Sequence, residues 1–166
     1  TLGALLADVP HSRPVAITGI ASDEALEDRV GLSRPTYEGP TGIVGVLHAA
    51  CAEAGMPSAS LWAAVPHYVA VAPNPKGALA LLRRLESLVG VTVDASDLEI
   101  ASADYDRQVT RAVELDPEVQ AFVERLERAA DEEQAEEGDL PSGDVLAREF
   151  QRFLRQRGNE PPKPPR

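Results

Sequence analysis

Residues 37–68 read YEGPTGIVGVLHAACAEAGMPSASLWAAVPHY, and this stretch decides the fold class. From residue 41 to residue 54 the apolar side chains Ile43, Val44, Val46, Leu47, Ala50, Cys51 and Ala54 recur at helical spacing. Thr41 stands where a side-chain oxygen can accept a hydrogen bond from a free N–H of the first turn. Gly55 occupies the place of the left-handed residue that ends a helix. Pro57 and Ser58 turn the chain into residues 59–65, ASLWAAV. That run is apolar on both faces, the pattern of a strand in a sheet with helices on both sides. Helix and strand together are read as core.

Working outward, residues 2–7, LGALLA, form a short apolar run before Asp8; its length fits the tail of a strand or the last turn of a helix. Val9-Pro10-His11-Ser12-Arg13-Pro14 is a loop, since each proline fixes its own φ and restricts its predecessor. Residues 15–21, VAITGIA, read as a buried strand. Ser22-Asp23-Glu24 starts a short helix to about Val30, and the prolines and glycines of residues 32–42 make a loop.

Downstream, Asn74-Pro75 starts a helix with a buried stripe of Leu79, Leu82, Leu85 and Leu88 or Val89, and Gly90 ends it. Residues 91–93 read as a short strand or a connector. Ser96-Asp97-Leu98-Glu99 matches a capping box that opens a helix to about Glu114. Asp116-Pro117 opens the next, with Val119, Phe122, Val123 and Leu126 facing inward. The acidic run 131–139 reads as an exposed helix end and linker. Ser142 opens a last helix with a stripe of Val145, Leu146, Phe150, Phe153 and Leu154, and PPKPPR forms a disordered tail. A helix joining two strands predicts a right-handed crossover. The expected fold class is α/β, with residues 1–95 as part of a sheet domain, 96–157 as a helical extension and 158–166 as a tail.

The 166 residues suffice for one domain with a real core. Aromatic residues are only 4 %, so Ala, Leu and Val build that core. Lys76 and Lys163 are the only lysines, an Arg-for-Lys bias that fits a GC-rich genome. A net charge of −11 argues against nucleic acid as partner, because phosphate binding needs clustered Lys and Arg. The acidity is local: residues 114–139 carry 11 acids and 2 bases. Cys51 is the single cysteine, which excludes a disulfide within the chain and a zinc site of several cysteines. No apolar run approaches the ~18 residues of a membrane span, and a cytoplasmic protein is expected. The chain opens without Met and in mid-pattern, as if an N-terminal part were missing.

Val-Pro-His occurs twice, at residues 9–11 and 65–67, each time after an apolar segment. Ligands of open α/β sheets bind beyond the carboxyl ends of strands. One reading joins Asp8, His11, Arg13, His67 and Tyr68 in a shared pocket, with histidine as acid/base or anion ligand. The other has two Pro-ended strands whose histidines bond to loop backbone. The loop of Tyr37, Gly39 and Thr41 enters a helix N-terminus, where free N–H groups favour anions; its glycines equally serve the turn. It matches neither a Walker loop nor a dinucleotide fingerprint, and no Gly-x-Ser-x-Gly elbow exists. His48 reads as structural or surface, and Cys51 as a small core residue. These residues show no catalytic set, metal site or cofactor site.

Three segments together, TLGALLADVPHSRPV, YEGPTGIVGVLHAACAEAGMPSASLWAAVPHYVA and APNPKGALALLRRLESLVG, resemble the actinobacterial branch of the proteasome assembly chaperone family over about residues 1–113. The resemblance implies an αβα sandwich like that of purine nucleoside phosphorylases. It also implies a full-length protein of nearly twice this length and self-association into a homo-oligomer, a trimer being one candidate. Family relatives bind proteasome core particles, some through a C-terminal hydrophobic-Tyr-any tail, whereas this chain ends PPKPPR. The expected function is that of a protein-interaction or chaperone-like module without catalysis. The alternative is an enzyme or small-molecule binder with a nucleosidase-like pocket at the Pro-His loops.

Overall fold

The computed structural model describes residues 1–22, 26, 42–69, 73–139 and 148. The expected helix after Ser22, the 32–41 loop, the helix after Ser142 and the PPKPPR tail lie outside the described residues, apart from helical Leu26 and Arg148.

Three strands form one sheet in the order β1-β3-β2, with β1 at Leu2–Ala7, β2 at Ile17–Ala21 and β3 at Ala59–Pro66. The ambiguous LGALLA run is therefore a strand. β1 lies parallel to β3, from Leu2 opposite Leu61 to Ala7 opposite Pro66. β2 lies antiparallel to β3, from Ile17 opposite Ala63 to Ala21 opposite Ala59. The right-handed crossover expected of the unit before β3 does not apply, because that rule governs parallel strands and β2 and β3 run antiparallel. Pro66 is tolerated in the central strand because it is the last residue, where a missing N–H costs no ladder bond inside the strand.

Helix α1, Ile43–Glu53, forms where the periodicity places it, and Gly55 beyond it has φ 67°. Two sequence expectations fail here. Its N-cap is Gly42, with no side-chain cap bond, rather than Thr41. Glycine takes the extended conformation of a cap readily, so no hydroxyl is needed. None of the residues of α1 is buried: Ile43 is 81 % exposed, and Val46 and Leu47 are exposed as well. The helix is not core among the described residues.

Helix α2, Pro75–Val89, follows its local signals. Asn74 Oδ1 accepts from Gly77 N at 2.8 Å, Pro75 stands first, and Gly90 closes the helix at φ 70°. Ala80, Leu81 and Leu88 pack against the sheet core of Ile17, Leu61 and Ala63. The expected stripe of Leu79, Leu82 and Leu85 is half-buried instead, since α2 also packs along the next helix and so has two neighbours. Residues 91–93 are a connector.

Helix α3, Ser96–Glu114, does not use the capping box. Its N-cap is Ala95, while Asp94 Oδ1 accepts from Ser96 N at 3.1 Å and Ser96 Oγ at 2.6 Å. Glu99 is drawn away to Arg83 of α2, so both partners of the box are already taken. Helix α4, Pro117–Asp139, starts at Asp116, whose Oδ1 accepts from Glu118 N and Val119 N. Tyr105, Val109 and Val113, one turn apart along α3, meet Val123 of α4 in a second small core, joined by Tyr68, Val69 and Val119. Residues 1–130 form one compact unit and residues from 131 onward a second; the site described next lies within the first. No described helix is long and apolar enough to cross a membrane.

Candidate functional site

Because β1 and β3 are parallel neighbours, their carboxyl ends open on the same edge of the sheet, and the loops after them meet. The register ties Ala7 to Pro66, so the two Val-Pro-His tripeptides are not equivalent. Val65-Pro66 is still strand, while Val9-Pro10 lies beyond the end of β1. His67 consequently faces Asp8: its N–H donates to Ala7 O at 3.2 Å, and its Nδ1 lies 2.8 Å from Asp8 Oδ1. This pair is solvent-facing, with the Asp8 side chain 79 % exposed.

His11 is the opposite case, only 6 % exposed. Its backbone N–H donates to Tyr68 Oη at 2.8 Å, and its Nδ1 lies 2.9 Å from the same oxygen. Its Nε2 lies 3.2 Å from Thr110 Oγ1, whose own proton goes to Asp106 O at 2.9 Å. The directions follow from counting protons. Thr110 has spent its hydroxyl proton, so it accepts from His11 Nε2–H. Neutral His11 then offers Nδ1 as acceptor, and Tyr68 donates to it while accepting from the His11 amide. The arrangement selects the neutral Nε2–H tautomer. Burial holds the His11 pKa below its usual value; Asp106 and Glu127 oppose that shift, and Lys76 reinforces it. Burial likewise pushes the Tyr68 hydroxyl up, against the His11 amide that donates to it.

The 8–14 loop is strapped from further sides. Lys76 of α2 donates to His11 O and pairs with Asp106 of α3 at 3.0 Å. Glu127 of α4 accepts from Ser12 Oγ and lies 3.7 Å from Arg13. Tyr68 packs edge-on to His11 and His67, with ring centroids 6.0 Å away in each case, and Phe122 sits 5.9 Å from Tyr68 and 5.5 Å from His67. Beside this cluster runs an open, mostly apolar groove of about 440 Å³, lined by Tyr68, Val69, Tyr105, Val109 and Val113 among others.

Of the residues singled out in the sequence, His11 and His67 come together around Tyr68, Asp8 pairs with His67 and Arg13 lies by Glu127, while Tyr37, Gly39 and Thr41 lie outside the described residues. Lys76, Asp106, Thr110, Phe122 and Glu127 are the partners that sequence reading missed. Lys76 carried a signal, as one of two lysines in the chain; Asp106 and Thr110 are one helical turn apart. His11 has both ring nitrogens engaged, so it clamps a loop. His67 with Asp8 is the imidazole–carboxylate pair that solvent reaches. His48, in contrast, is structural: it bonds Ser58 and Ser60, linking α1 to β3. Among the described residues no group of three or more His, Cys, Asp or Glu is placed to hold a metal ion.

The family model described as PAC2 family matches residues 1–113. No curated protein matches the sequence. Among solved structures, a PAC2 family protein from Streptomyces avermitilis is 48 % identical with a TM-score of 0.64, over 74 % of this chain and 51 % of its own. A proteasome-assembly chaperone homologue from Mycobacterium tuberculosis is also 48 % identical, with a TM-score of 0.65, over 74 % of this chain and 52 % of its own. A Mycobacterium tuberculosis protein of unknown function is 26 % identical with a TM-score of 0.73, over 82 % of this chain and 47 % of its own. The chain spans about half the length of these proteins. With more than half of its residues under the family model, the chain belongs to the PAC2 family.

Proposed function

We propose that the chain is part of a non-enzymatic, self-associating protein-interaction module of the proteasome-assembly-chaperone type, acting in the cytoplasm on the proteasome core particle. The observation that carries the reading is uncovered apolar surface. Leu2, Leu5 and Leu6 of β1 and Ile43, Val46 and Leu47 of α1 are exposed, Leu6 to 72 %. Exposed apolar patches mark surfaces that other protein covers. The 48 % identity to a mycobacterial proteasome-assembly chaperone homologue supports the choice of partner. The finer name for the fold, an αβα sandwich like that of purine nucleoside phosphorylases, belongs to the same reading. The test is a pull-down of the 20S core particle from the same cell with the full-length protein, alongside light scattering for its oligomeric state. Enrichment of core particle at physiological salt is expected; a monomer that enriches none overturns the proposal.

A second reading, a small-molecule binder at the Pro-His loops, is favoured by one observation. The two loops meet around Tyr68, beside a groove whose volume of about 440 Å³ lies in the range of ligand pockets. Its contact residues would be Asp8, His11, Arg13, His67 and Tyr68, of which Tyr68 lines the groove. A thermal-shift screen with nucleosides, phosphate and carboxylates tests it, since a ligand of the native state must raise its melting temperature.

A further inference from the structure

Below the strap, a narrow cavity of about 20 Å³ lies where four parts of the fold converge: the 9–15 loop, the end of β3, the start of α2, and α3. Its polar lining comes from His11, Arg13, Asn74, Lys76 and Tyr105. Tyr105 is only 8 % exposed, and its hydroxyl is buried without a hydrogen-bond partner among the described residues. A buried hydroxyl left in that state costs about 1–3 kcal/mol, so native proteins rarely keep one. A second polar atom in the same condition, Asp106 Oδ1, belongs to the carboxylate that Lys76 of the lining holds through Oδ2.

We infer that this cavity is a binding site for a single ordered water, hydrogen-bonded to Tyr105 Oη and to the polar groups around it. Size and charge select the occupant. A water needs roughly 10–15 Å³ measured in this way, together with two to four polar partners. Phosphate or a carboxylate is too large for the space. A metal cation finds no carboxylate among the described lining residues, where the charged side chains are Arg13 and Lys76. Burial raises the Tyr105 pKa, which keeps its hydroxyl protonated and able to donate. Water both donates and accepts, so it serves that hydroxyl in either direction. The bound water joins α3 to the 9–15 loop at a point where no protein–protein bond from Tyr105 does so.

The test is a crystal structure of the full chain at about 2 Å or better, grown with and without bromide, together with urea unfolding of Tyr105→Phe. A single peak within hydrogen-bond reach of Tyr105 Oη is expected in the wild type, unchanged by bromide and lost in the variant. The variant's folded-to-unfolded ratio falls about fivefold, the worth of one ordinary hydrogen bond. Featureless density in the wild type overturns the inference even if the variant does not fold. An anomalous bromide peak in the cavity overturns it in favour of an anion. A Tyr105→Phe variant as stable as the wild type overturns it too, because a dry hydroxyl loses nothing on removal.

Discussion

Tyr68→Phe removes one oxygen and leaves the ring, so it isolates the strap that holds the 8–14 loop. That oxygen serves His11 twice, accepting from its amide at 2.8 Å and donating to its Nδ1 across 2.9 Å. Both His11 groups belong to a residue 6 % exposed, so water does not replace the lost partner freely. A net hydrogen bond contributes about 0.5–1.5 kcal/mol, and each buried group stranded by its loss costs about 1–3 kcal/mol. Two groups with partial relaxation give an expected loss of about 2–4 kcal/mol, out of the 5–15 kcal/mol typical of a domain. The ring contacts with His67 and Phe122 survive and add little to the loss. Urea unfolding at pH 8, followed through the single tryptophan, Trp62, measures the change. Imidazole ¹⁵N spectra report the tautomer: the Nε2–H form in the wild type, and a mixture in the variant. Thr110→Val provides the contrast. Thr110 is exposed, so water takes its place and the loss stays below about 1 kcal/mol. A Tyr68→Phe variant that loses less than about 0.5 kcal/mol and keeps the wild-type His11 signals refutes the strap.

The same strap makes stability depend on pH. The folded His11 pKa lies below the usual 6.5, so the unfolded chain binds the extra proton first; the contribution is complete above about pH 6.5 and is lost as pH falls through the folded value. Urea midpoints from pH 8 to pH 5 should therefore decline, with a shallower slope in His11→Gln, and equal slopes in the two proteins count against the buried neutral imidazole. Gly3 lies opposite Trp62 in the sheet, and a Cβ there would overlap the indole ring. Gly3→Ala should cost about 1–3 kcal/mol and shift the Trp62 emission; unchanged emission and midpoint would show that the strand pair is placed wrongly. Gly90 closes α2 at φ 70°, so Gly90→Ala should cost about 1 kcal/mol in the same assay, and a gain in stability would contradict the left-handed cap.

What the sequence disclosed and what it hid divide by the range of the interactions involved. The start and end of α2 were legible because Asn74, Pro75 and Gly90 act on backbone within four residues of themselves. The Ser96 box failed because both members are held elsewhere: Asp94 takes Ser96 from two residues away, and Arg83, on another helix, takes Glu99. Periodicity announced α1 correctly, yet an apolar stripe says nothing about what covers it, and none of its residues is buried. Strand direction was equally hidden, since a run such as VAITGIA pairs either way and only the sheet decides.

The site shows the same division more sharply. The two histidines looked alike in sequence because the residues before them are alike. Their partners lie elsewhere: Tyr68 is 57 residues from His11, Thr110 is 99 residues from it, and Glu127 is 115 residues from Ser12. Parallel pairing of β1 with β3 then offsets the tripeptides, so that Pro66 stays in the strand and Pro10 does not. One imidazole is drawn under Tyr68 and has both nitrogens committed; the other is left at the surface against Asp8. A ligand or partner arriving at this edge of the sheet meets the His67–Asp8 pair directly. It reaches His11 only by breaking the Tyr68 strap, at about the 2–4 kcal/mol that Tyr68→Phe is expected to cost. Surface access at one imidazole and loop-holding at the other therefore separate two residues that share a motif.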